Sequence, residues 1–152
     1  MKATIAHLRK IIASYSGRLV AIPEEVYAYK PVPEKWSKKE ILGHLVDSAQ
    51  NNIRRFVVAQ YEDVPTIVYK QDQWVAIADY QHYPTQDLVS LWKLLNGHIC
   101  QILANTPSEA AQRKSDTCGP ELYTIEWLAA DYCSHLLHHL HQILELEPIA
   151  YP

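Results

Sequence analysis

The sequence predicts an all-α fold: a four-helix bundle with a long loop between its second and third helices. Three observations predict it. Apolar residues recur at helical spacing over four long stretches. Only four glycines occur in 152 residues, few for a β fold that needs many turns. The nine prolines fall mainly between the periodic stretches, where they punctuate helices rather than break them. Length and a hydrophobic content of 48% suit one domain spanning residues 1–152 with a single core.

The first helix is expected from about Ala3 to Ala21, with Ile5, Leu8, Ile12, Tyr15 and Leu19 on one face. Pro23 limits it, and Pro31 and Pro33 mark an extended connection. The second helix opens at Ser37-Lys-Lys-Glu40, a capping box in which the Ser37 hydroxyl and the Glu40 carboxylate each satisfy a backbone amide. Trp36 and Ile41 are placed as its hydrophobic staple, and the helix should reach about Gln60. A connection from about Glu62 to Pro84 follows. Its aromatic residues, Tyr69, Trp74, Tyr80 and Tyr83 among them, predict a segment packed over the domain rather than a solvated linker. Within it Tyr69, Asp72 and Trp74 read as loop anchors. Thr85 is placed as N-cap of the third helix, whose core stripe reads Leu88, Leu91, Leu94, Leu95, His98 and Ile99. Residues 107–123 read as a short helical turn and a loop. Thr124 caps the fourth helix, expected to run to about Glu147, where Pro148 stops it.

Composition excludes several classes of function. The net charge is -3 and no basic block stands out, so nucleic acid is not an expected partner. No apolar run approaches the ~20 residues of a membrane span, and Met1–Lys10 lacks the pattern of a signal peptide. Three cysteines without CxxC spacing argue against a disulfide framework and for a cytoplasmic setting. Cys100 and Cys133 fall in apolar helical segments, where thiols are buried and inert.

The chemistry concentrates in Asp131–Gln142, where four of the eight histidines occupy seven positions. His135 and His139 are separated by one helical turn, about 40° apart on the wheel, at the border of the apolar stripe. Two imidazoles on one helical face can serve one metal ion. Leu128, Tyr132 and Gln142 share their sector. His138 and His141 point progressively toward solvent or a partner subunit. The third ligand must come from elsewhere, and His44 is the leading candidate. Yet on its own helix His44 joins Ser48, Asn51 and Arg55 in a polar stripe that reads as a solvent face. Opposite lies a broad apolar arc that a dimer partner on Val46, Ile53 and Val57 would help to cover. Asp47, close to one turn past His44, is placed to orient an imidazole. Asn51 and Arg55 are candidates to bind substrate oxygens or the carboxylates of a thiol.

Taken in order, Lys35-Trp36-Ser37 through His44, Asp47 and Ser48, then Asn51 and Arg55-Phe56, the loop Val68–Trp74, and Trp127–Ile143 resemble the DinB-like superfamily and its YfiT-like branch of metal-dependent hydrolases and thiol transferases. The resemblance covers most of the chain. It implies a four-helix bundle, commonly a homodimer, with a divalent ion, zinc or nickel, on His44, His135 and His139. Loops of this type often carry an acid after the tyrosine. Here Lys70 stands there, leaving Asp72 the only acid nearby.

The function expected from the resemblance is thiol S-transfer, with a low-molecular-weight thiol as cosubstrate, a small molecule as substrate, and Asp47, Asn51 and Arg55 as supporting catalytic residues. Two alternatives stand beside it. One is a hydrolase using metal-bound hydroxide, and the other a non-catalytic metal-binding helical dimer.

Overall fold

The computed structural model describes residues 1–151. Six helices follow in chain order: α1 (Lys2–Val20), α2 (Glu24–Ala28), α3 (Lys38–Val58), α4 (Gln71–Ala78), α5 (Thr85–Asn105) and α6 (Ile125–Ile143). The four long ones, α1, α3, α5 and α6, form a four-helix bundle. Helix α5 packs on α1 and α3, and α6 packs on the same two. Helices α1 and α3 are therefore diagonal partners, as are α5 and α6, and each diagonal crossing needs a long connection. Residues 21–37 make the first, with α2 inside it. Residues 106–124 make the second, with a 3-10 turn at Ala110–Gln112 and a two-residue antiparallel ladder, β1 (Lys114–Ser115) on β2 (Tyr123–Thr124). No helix among the described residues is long and apolar enough to cross a membrane.

The core between the helices is built from Leu8, Leu19, Leu42, Leu45, Phe56, Trp92, Ile99, Tyr132, Leu136 and Leu140, all essentially inaccessible to water. In α5 the inward row is Leu88, Trp92, Asn96, Ile99 and Leu103; of the predicted stripe Leu88 and Ile99 are buried and Leu91 and Leu95 pack against the core's edge, while two members turn outward. Leu94 is 71% exposed and His98 lies on the surface. The stripe turns because Asn96 can be buried without loss. Its Nδ2 donates to the Trp92 carbonyl (2.8 Å), and its Oδ1 accepts from the Tyr132 hydroxyl (2.8 Å). Thr85 is the first residue of α5 rather than its cap; Pro84 precedes it, and the Thr85 hydroxyl donates to Glu24. Glu24 also receives the buried Lys39 ammonium (2.6 Å), so one polar knot joins α2, α3 and α5.

The connection after α3 is more regular than expected. It contains α4, and a 3-10 turn at Tyr80–His82 reached through Asp79 in the left-handed region (φ 49°). Its first half is held down by Arg113, whose guanidinium donates to the carbonyls of Ala59 (2.6 Å) and Glu62 (2.7 Å). Its second half lies on α3. This segment of the same chain covers the polar stripe of α3. His44, Asp47, Ser48, Asn51 and Asn52 are all buried, which overturns the solvent-face reading. Val46 is also buried within the chain, so it needs no second copy to cover it.

Helix α6 stops at Ile143, four residues before the expected end, and Glu145 adopts φ 53°. The chain then folds back along the helix. The Nδ1–H groups of His141 and His138 donate to the carbonyls of Glu147 and Ile149 (2.7 Å each). His141 Nε2 accepts from the Tyr15 hydroxyl (2.8 Å). Both rings, expected to face solvent or a partner, instead tie down the returning chain.

Candidate metal centre

The capping box sets the start of α3. Ser37 Oγ accepts from the Glu40 amide (3.1 Å), and Glu40 Oε2 accepts from the Ser37 amide (2.7 Å). Seven residues on, His44 is 1% exposed, with the Trp36 ring centred 5.2 Å away and the Tyr69 ring stacked at 6.4 Å. The i, i+4 spacing on α6 brings His135 and His139 to 4.7 Å between ring centres. His44 lies 5.1 Å from the first and 5.0 Å from the second, so the three rings form a nearly equilateral cluster. One nitrogen from each ring lies within 4.8 Å of the others, and the His44 and His135 Nε2 atoms are 3.1 Å apart.

The electrostatics suit a cation. Burial lowers His44 to about 4, helped by the charge of His139. Burial lowers His135 to about 2, with His139 and His44 adding to it. Burial also lowers His139, against a bond to Gln142 that favours the charged form. All three rings are therefore neutral near pH 7, with lone pairs available. His139 Nδ1–H donates to Gln142 Oε1 (3.1 Å), which leaves the Nε2 lone pair available to a metal. Three neutral imidazoles converging from two helices are a donor set that fits a divalent transition metal.

The other expected residues divide. Asp47 does not orient an imidazole. Its Oδ1 accepts from the Tyr80 hydroxyl (2.6 Å), and among the described residues neither its Oδ2 nor His44 Nδ1 has a hydrogen-bond partner. Burial pushes Asp47 up to about 6, although the Tyr80 bond pulls the other way. Asn51 is fully buried, and its Nδ2 donates to the Asp47 carbonyl (2.9 Å), a local bond within α3. Arg55 donates from Nε (3.2 Å) and Nη2 (3.1 Å) to the Ile67 carbonyl and from Nη1 to Asn52 Oδ1 (3.4 Å). Of the three, Arg55 alone lines a cavity that also reaches the histidines.

Two cavities flank the cluster. A chamber of about 210 Å³ lies on the His135 side, lined by Ser48, Arg55, Tyr69, Asp131 and Tyr151 among others. A more open cleft of about 390 Å³ lies on the His139 side, lined by Lys35, Trp36, Ile41, Asp72 and Gln142. Sequence reasoning missed Tyr151, Asp131 and the place of Trp36 and Tyr69 against His44. Gln142 was visible on the histidine sector of the wheel. Tyr151 carried no signal, because it reaches the site only through the chain reversal after Ile143.

The fold and site define a helical bundle with a three-imidazole centre set between two cavities. Residues 7–143 match the model of the DinB superfamily, and the chain belongs to that superfamily. A protein of Halalkalibacterium halodurans named as a candidate metal-dependent hydrolase is 28% identical over 109 residues, covering 71% of this chain and 63% of the relative. YfiT of Bacillus subtilis, named in the same way, is 27% identical over 115 residues, covering 73% and 64%. The matched region thus spans just under two thirds of each curated relative. The solved structure of YfiT, described as an unusual four-helix bundle, superimposes with a TM-score of 0.85 over 95% of this chain and 83% of its own, at 21% identity. A mycothiol-dependent maleylpyruvate isomerase superimposes with a TM-score of 0.73 over 98% of this chain and 61% of its own, at 13% identity. Both likenesses concern the fold.

Proposed function

We propose that this protein is a metal-dependent enzyme that transfers a low-molecular-weight thiol to a small electrophile. In this reading His44, His135 and His139 hold a divalent ion, zinc or nickel. The observation that carries it is the convergence of three neutral imidazoles on one point between two cavities. When bound, such an ion lowers the pKa of a thiol or water and supplies a nucleophile near neutral pH.

The chain's own groups do the rest. Gln142 fixes the His139 tautomer through the Nδ1–H bond. The Trp36 and Tyr69 rings shield His44 from water on two sides. Asp47 and Asn51 act as positioning residues: Asp47 anchors Tyr80, and Asn51 braces the backbone of α3. Arg55 presents its guanidinium to the chamber. In the transfer a carbon–sulfur bond forms, the bond from carbon to the displaced group breaks, and the thiol proton leaves with that group.

The test begins with elemental analysis of protein purified without a histidine tag. Turnover of an electrophile with bacillithiol or glutathione is then measured before and after chelation. Metal-dependent consumption of thiol is expected, and its absence with every thiol overturns the transferase reading. The hydrolase reading is favoured by the names of the two relatives. Metal-dependent ester cleavage without thiol would put it first.

A further inference from the structure

We infer that the chamber beside His135 is a carboxylate subsite, anchored by Arg55, that admits the acid group of a small substrate. That this acid is the electrophile of the transfer rests on the reading above; the anion site itself does not.

The argument starts from the guanidinium. Arg55 has five N–H donors, and three go to the Ile67 carbonyl and Asn52 Oδ1. Those acceptors are neutral. Among the described residues no carboxylate lies within ion-pair distance of Arg55. Asp131, which lines the same chamber, acts on the guanidinium through its charge but makes no direct ion pair with it, so a ligand anion is what would pair Arg55 directly. Two donors remain, and a planar guanidinium matches a carboxylate in forked geometry.

The chamber suits that partner. Every residue that lines it carries a polar group, including the hydroxyls of Ser48, Tyr69 and Tyr151. Its volume of about 210 Å³ is the smaller of the two, against about 390 Å³ for the cleft on the His139 side, so it suits the smaller reactant. The larger partner is left with the cleft on the His139 side, where Trp36 and Ile41 offer apolar surface and Lys35 a charge. The imidazole cluster stands between the two, as a reaction joining a small acid to a larger thiol requires. The chamber's lining also includes Asp131, whose Oδ2 accepts from the Tyr151 hydroxyl (2.9 Å). Asp131 opposes an incoming carboxylate, and this makes a second test with the opposite sign.

Calorimetric titration with butyrate and succinate tests the inference. Wild-type protein binds at least one of them. Arg55→Gln weakens binding by about tenfold or more, the loss of charged hydrogen bonds. Arg55→Lys keeps the charge and falls between them. Because Arg55 also braces Ile67, the independent arm is Asp131→Asn, expected to tighten binding roughly threefold by removing a like charge. His139→Ala protein, its metal content measured in parallel, retains acid binding. No acid binding by the wild type, unchanged affinity in Arg55→Gln, or weaker binding in Asp131→Asn overturns the inference. Loss of binding in His139→Ala together with loss of metal also overturns it, because the acid would then be a metal ligand, and leaves the metal centre standing. Retained acid binding in a wild type that holds no metal upholds the subsite while the metal reading fails.

Discussion

Gly43 is where the packing of the loop and the burial of the site meet. A side chain there would overlap the Tyr80 ring, which lies flat against α3 and donates to Asp47. Gly43→Ala is therefore expected to displace Tyr80 and cost about 1–3 kcal/mol, the usual range for an overpacked core position. Denaturant unfolding checks this, with a lower midpoint at unchanged slope expected; a midpoint equal to wild type would contradict the close contact. The histidines allow a sharper comparison. His44→Ala removes one of the three clustered nitrogens and is expected to weaken zinc binding more than about 100-fold, whereas His98→Ala changes a surface ring and leaves it unaltered. Gln142→Ala should fall between, at about tenfold, because it frees the His139 ring without removing it. Equilibrium dialysis of the three variants ranks them.

At the scale of the element, α3 is both the most legible helix and the one whose role was misread. Its capping box is present as expected, and Ser37→Ala should lower stability by about 1 kcal/mol. Glu40 adds a pH dependence. Burial alone would raise its pKa, but the Ser37 amide, the Lys30 ammonium and the Gln81 amide outweigh it, and the net shift is downward. A carboxylate lowered in the folded state contributes stability above its unfolded value, near 4.5, and that contribution is lost as pH falls through the folded value. Glu40→Gln can keep the cap through its amide oxygen but not the charge. Its stability should therefore fall less steeply than wild type below about pH 4.5. Parallel curves for the two proteins would remove Glu40 from the acid transition. What misled the reading of α3 was its polar stripe. An amphipathic helix reports which residues avoid one another, but not what lies over its polar side.

For the whole molecule, the centre joins two helices that are far apart in sequence, so occupancy should stabilise the bundle as a unit. If zinc binds only the folded state, free metal at a hundred times Kd adds about 2.7 kcal/mol. In a chain of this length that is roughly 5–11 °C of melting temperature. Chelation should reverse the shift, and in His44→Ala the shift should be absent. A melting temperature indifferent to zinc in the wild type would leave the cluster without a bound ion. The architecture also explains why the chain spends so many residues between its helices. Two connections cross diagonals, and the third, with α4 and Tyr80, roofs the site.

The local code was sufficient for the four long helices, the capping box at Ser37, the Thr124 cap and the pairing of His135 with His139, because each depends on residues within a turn or two of one another. The short α4, the exposure of His98 and the early end of α6 were not legible. Each is decided by a distant partner: α4 by the surface of α3, the α5 register by the Asn96–Tyr132 bond, the α6 terminus by the returning chain that His138 and His141 hold. The same holds for the centre. Spacing alone could offer two imidazoles on one helix. Which third ring joined them, and whether it faced water or the other two, was decided by a loop folding across α3 and by Arg55 and Tyr80 holding it there, contacts that bring together residues remote along the chain.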